Sequence, residues 1–321
     1  MNIKLTSQQG KDYESLFDIN FTDLKGPLEV DFSEVKFFRP FALTLLYGLF
    51  RLHEKLYPHE KRICKPSRYQ YENVDVFQYT QRIDFFKCCE ELKASFSEEM
   101  FNRYPASKFV PITQANSLSD CEKVAGDIIK IVFPHDHPGA QQAKYSLSEL
   151  AGNSAQHSGS PIGAIMNAQL YPDGELHGAI LDAGITIRGH LAGNRLLAPQ
   201  VTSDEKAIEL ALIAGNSGAH NRKKETVEKS DLEAGYTNAG YGLSVCAEIA
   251  KRSGGFVHII SGQASYKVTG KNVTTRKMLG WPGTIVFFSI DCNNLPHIGE
   301  IIQEFDRKIK EKSNVKLRFD S

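Results

Sequence analysis

The chain has 321 residues, enough for two domains of ordinary size that can each bury a core. Its hydrophobic fraction of 41% and charged fraction of 24% are those of a soluble globular protein. Lys plus Arg equals Asp plus Glu at 38 each, which excludes a global pull toward nucleic acid or an anionic membrane surface.

The first residues, "MNIKLTSQQGKDYE", hold no apolar signal-peptide core, and no window approaches about 18 uninterrupted apolar residues. Residues 1–105 read as one unit. "PLEVDFS" (Pro27–Ser33) is strand-like, "FALTLLYGLFRLHEKL" (Phe41–Leu56) is a strongly apolar helix, and "RICKP" can form a strand. A second helix is expected over Val74–Leu92, which makes the unit a small α/β domain. Weak periodicity and two prolines, Pro105 and Pro111, mark a connection, with the linker at 106–120.

"SLSDCEKVAGDIIKIVF" then opens a helix with a Ser or Asp cap. In "FPHDHPG", His135, Asp136 and His137 stand close together without a further ligand in register, which favours a polar loop over a metal site. The next helix, roughly 146–158, carries "SELAGNSAQHS" (Ser148–Ser158). Glu149, Asn153 and His157 recur every four residues, about one turn, so they share a stripe. Gly152 and the small residues around it are poor material for a merely stable helix.

"IGAIMNAQLY" and "LHGAILDAG" flank "PDGE" and read as strand, turn, strand. Asp182 and Gly184 at the end of the second strand offer either a simple turn or a carboxylate beside a backbone that a flat ligand can approach. A helix is expected over Ser203–Asn216, then a polar, Gly-rich stretch, Ser217–Gly240, too long for an ordinary connection. Gly240 and Gly242 open a helix over Tyr241–Gly255, either as a cap or as N–H groups favouring a phosphate. It lacks the third glycine of a dinucleotide fingerprint, and no phosphate-binding loop of the GxxxxGK type occurs. "FVHIISG", "SYKVTG" and "TIVFFSID" are strands, the last entered through Gly283 and Thr284, and an amphipathic helix near 297–312 lies in the 293–321 tail. Cys64, Cys88, Cys89, Cys121, Cys246 and Cys292 show no CxxC spacing and read as reduced thiols of a cytoplasmic protein.

Taken in order, Glu149-x-x-x-Asn153, Asp182-x-Gly184, the polar stretch, Gly240-x-Gly242-Leu243 and Gly283-Thr284 form one pattern. Residues 121–292 thereby resemble the GHKL ATPase superfamily, which includes gyrase-type, chaperone, histidine-kinase and anti-sigma-factor kinase domains. The resemblance implies a two-layer α/β sandwich whose mixed sheet is covered by helices on one face. It implies ATP and Mg²⁺ as ligands, with Asn153 on the Mg²⁺ and Glu149 as general base. Asp182 would accept from the adenine amino group, Gly184 would pack against the base, and Thr284 would support that contact. Gly240, Gly242 and Leu243 would meet the phosphates, and 217–240 would be the lid.

Glu149, where sensor histidine kinases commonly carry another residue, is shared by hydrolysing members and the anti-sigma serine kinases, and "SELAGNSAQHSG" with the compact strand–turn–strand after it looks most like the latter. Two departures stand out. Thr186 replaces the second glycine of the Asp box, so lid attachment differs. His157 is open between a phosphate contact and a helix-end residue bonded to backbone. "LEVDFSEVKFFRPFALTLLYGLF", with "VFQYTQRIDFF", is similar to STAS-like domains, but Arg39-Pro40-Phe41-Ala42 stands where their phosphorylated Ser normally lies. The implied whole is an α/β protein: a STAS-like domain fused to an ATPase or protein serine kinase that works through a protein partner or as a homodimer. The alternative is an ATP-gated interaction module with negligible hydrolysis.

Overall fold

Apolar runs bounded by Gly, Pro and Asn turns decide where strands form, and they assemble here into two sheets. The computed structural model describes residues 1–6, 13–21, 23–65, 76, 79–81, 83–88, 108–133, 140–216 and 241–319. β1 (Asn2–Lys4), β2 (Leu28–Asp31) and β3 (Arg62–Lys65) form a 3-stranded parallel sheet in that order. Between β2 and β3 runs α1 (Pro40–Leu56), with Pro40 in its first turn where a missing N–H costs nothing. Every residue of α1 from Pro40 to Phe50 is buried, which is the mark of a helix covered on all sides. The helix expected over 74–92 lies largely outside the described residues, and within it Phe85–Cys88 forms a 3-10 turn.

The larger sheet holds β4 (Phe109–Ala115), β5 (Ala164–Leu170), β6 (Glu175–Leu181), β7 (Phe256–Thr269) and β8 (Asn272–Asp291), 5-stranded in the order β4-β5-β6-β8-β7. Every neighbouring pair is antiparallel, so the expectation of a mixed sheet is corrected. The chain does cross from β6 to β7 through helices, as a parallel pair requires. The hairpin return β8 inserts between those two strands and leaves no parallel contact. Residues 109–115, read from sequence as linker, are the edge strand β4. The three strand segments expected at the C-terminal end merge into the long β7–β8 hairpin, whose register shifts around Gly262.

One face of this sheet carries α2 (Leu118–Val132), α3 (Ala140–Gly152) and α6 (Gly242–Arg252), packed on Met166, Ile180, Val257 and Phe288. Ser117 caps α2 in a full capping box with Asp120. The opposite face is not open to solvent. Ile165, Ala179, Leu181, Ile285 and Phe287 alternate onto it and share one core with α1 and the rest of the N-terminal unit. The N-terminal unit covers this other side, and the core there runs through both units. α4 (Ile187–Ala192) and α5 (Asp204–Ala211) follow β6, and α7 (Ile298–Phe319) is joined to α6 by the Arg252–Glu304 ion pair at 2.8 Å. Among the described residues no helix is long and apolar enough to cross a membrane. Cys64, Cys121, Cys246 and Cys292 are free thiols.

Candidate functional site

The site begins with sheet register. Leu181, the last residue of β6, pairs with Ile285, which sets Asp182 beside Thr284, with Asp182 N donating to Thr284 O at 2.9 Å. The Asp182 side chain is 2% exposed. Burial pushes its carboxyl up to about 7, against the lowering effect of the Gly184 N–H at 2.9 Å and the nearby Ser154 and Ser158 hydroxyls.

Asp182 lines an open cleft with a cavity volume of about 120 Å³. Asn153, Thr186, Gly242, Leu243 and Thr284 line the same cleft, so most of the residues singled out from sequence converge there. Asn153 is exposed at its rim. It starts a π-helical turn, Asn153–His157, that ends α3, instead of continuing the α-helix expected through 158. The wide turn carries Ser154 and Ser158 toward Asp182, and Ser158 Oγ donates to Ser154 O at 2.6 Å.

Two glycines serve the protein's own packing. A Cβ at Gly184 would stand 2.1 Å from Ser158 O, so that glycine admits the backbone at the end of the π turn. A Cβ at Gly242 would stand 2.9 Å from Leu150 N, so Gly242 lets the start of α6 touch the backbone of α3. The first turn of α6 has no side-chain cap and no acidic residue, and it opens on the cleft at Gly242 and Leu243. A helix start favours an anion through its first backbone N–H groups and its dipole. Thr186 caps α4 by accepting from Gly189 N at 3.2 Å.

Glu149 is half-buried on α3 and does not line the cleft. It faces the Tyr241 side: burial, the Asp306 carboxylate bonded at 2.5 Å, and the charge of Glu149 all raise the Tyr241 phenol. Gly240, the 217–240 stretch, the His135-Asp136-His137 stretch and the side chain of His157 lie outside the described residues. Among those described, no group of three or more His, Cys, Asp or Glu is arranged to hold a metal.

Sequence reasoning missed Ser154, Ser158, His190 and Asn216 in the cleft lining. The two serines were legible as an i, i+4 pair inside "SELAGNSAQHS", one position after Asn153 and His157. It also missed Ser261, which accepts from Ile187 N at 2.9 Å and lies 3.2 Å from Thr284 Oγ1. No family model, no curated protein and no solved structure matches the chain.

Proposed function

We propose that this chain is an Mg²⁺–ATP-binding regulatory protein of the GHKL type, with a STAS-like N-terminal unit, acting in the cytoplasm through a protein partner or a second copy of itself. One observation carries the reading: Asn153, Asp182, Gly242, Leu243 and Thr284, matched to separate sequence boxes, line a single cleft. Each offers chemistry suited to one part of the nucleotide. The Asp182 carboxyl would take the adenine amino group, and the uncapped start of α6 would take phosphate oxygens.

Mg²⁺ held with the phosphates would neutralise their charge. A cation that keeps most of its waters needs few protein ligands, which fits the exposed amide of Asn153. ATPase or protein serine kinase activity would then require a base near the terminal phosphate.

A second reading, an ATP-gated switch with negligible turnover, is favoured by Glu149 standing off the cleft lining. Incubating the chain with labelled ATP and scoring bound nucleotide, released phosphate and labelled protein in one sample separates the two. The enzyme reading expects released phosphate or labelled protein that Glu149→Ala abolishes. The switch reading expects bound nucleotide alone, and no bound nucleotide at all would refute both.

A further inference from the structure

The "GWPG" segment, Gly280–Gly283, lies inside β8. Gly280 and Gly283 hold φ of +119 and +123, values open to glycine, and between them the strand β8 kinks where its register to β7 shifts. The kink turns Trp281 inward. Its ring is 1% exposed and belongs to the core of the N-terminal unit, with Phe21 edge-on at 5.5 Å. Its indole Nε1 donates to the backbone carbonyl of Asp182 at 2.6 Å.

Asp182 is thus held at three points: its N–H by Thr284 O, its Oδ1 by Gly184 N–H, and its carbonyl by Trp281. A second contact from the N-terminal unit arrives one residue earlier. A Cβ at Gly48 of α1 would stand 2.8 Å from Leu181 Cδ1, so the helix presses on the residue that precedes Asp182.

We infer that Trp281 is a positioning residue for the adenine-recognising carboxylate, and that through Trp281 and Phe21 the N-terminal unit sets how selectively the cleft reads the base. This rests on the reading of the cleft as an adenine nucleotide site. Without the indole donor, the buried Asp182 carbonyl must rotate to find another partner and carries the carboxylate with it.

The test compares ATP with ITP, which has a carbonyl where adenine has its amino group, by calorimetric titration of the full chain and of Trp281→Phe. Wild type is expected to prefer ATP. Trp281→Phe is expected to shrink that preference about tenfold, the equivalent of one hydrogen bond, while ITP affinity stays within about twofold. A merely structural tryptophan would lower the melting temperature and leave the ATP-to-ITP ratio unchanged, and that result would overturn the inference alone. If wild type binds the two nucleotides equally or neither, the adenine reading itself fails.

Trp281 is the only tryptophan in the chain, so the wild-type emission supplies a second measurement that needs no variant. ATP should shift it and ITP should not. An emission unmoved by bound ATP would count against the inference even where Trp281→Phe does not fold.

Discussion

Replacing Gly283 with Ala tests whether the cleft's inner wall is built as described. The backbone φ of +123 is one that L side chains rarely adopt, and a Cβ there would lie 2.4 Å from Asp182 O and 2.7 Å from Asp182 Oδ1. The strained backbone costs about 1–2 kcal/mol, and overpacking against backbone that cannot step aside adds about 1–3 kcal/mol. The sum, about 2–5 kcal/mol, corresponds to roughly 4–10 °C in melting temperature at about 2 °C per kcal/mol for a chain of this size. Gly254→Ala is the control: its φ is +88, yet nothing lies within 4 Å of the new Cβ, so it carries the backbone cost alone. Calorimetric melting of both variants decides the matter. Gly283→Ala melting within about 1 °C of Gly254→Ala would refute the close approach of Gly283 to Asp182.

Three further outcomes follow from the same contacts. His258 is buried between Tyr13 Oη at 2.9 Å and Ser265 Oγ at 2.6 Å, and burial, with Lys267 nearby, depresses it to about 3. The fold holds it neutral while the unfolded chain titrates near 6.5, so its contribution is complete above about 6.5 and is lost as pH falls toward about 3, at about 1.4 kcal/mol per unit. Denaturation midpoints between pH 7 and 4 should therefore fall less steeply in His258→Asn than in wild type. If the ionised Asp182 accepts from adenine, adenosine affinity should rise about tenfold from pH 6 to pH 8 and be flat in Asp182→Asn, as measured by calorimetry. Ser117→Ala removes half of a capping box and should lower stability by about 1 kcal/mol in a thermal melt.

What sequence made legible follows from how local each signal is. The hairpin around "PDGE", the apolar α1 and the capped α2 are written in neighbouring residues, and all three formed. β4 was hidden because Pro111 breaks the strand pattern. A proline is tolerated there because β4 is an edge strand, and its register to β5 shifts across that residue, between Val110 and Thr113. The insertion of β8 between β6 and β7 was equally hidden, since strand order is a long-range property that no window contains. In the site, Asn153 and Asp182 were legible because each sits at a helix end or strand end, and Thr284 because Gly283 precedes it. Trp281 was not, because its role depends on Phe21, which lies far away in sequence. The roles of Gly184 and Gly242 also needed coordinates: sequence says that glycine stands there, and only geometry says which backbone it admits.

The proposed function requires that the cleft at Asp182 hold adenine nucleotide. Calorimetric titration of ATP with Mg²⁺ into the full chain and into Asp182→Ala measures this directly. Saturable binding in wild type, weakened at least about tenfold in the variant, is the predicted result. No binding in wild type, or the same isotherm for both proteins, would contradict it.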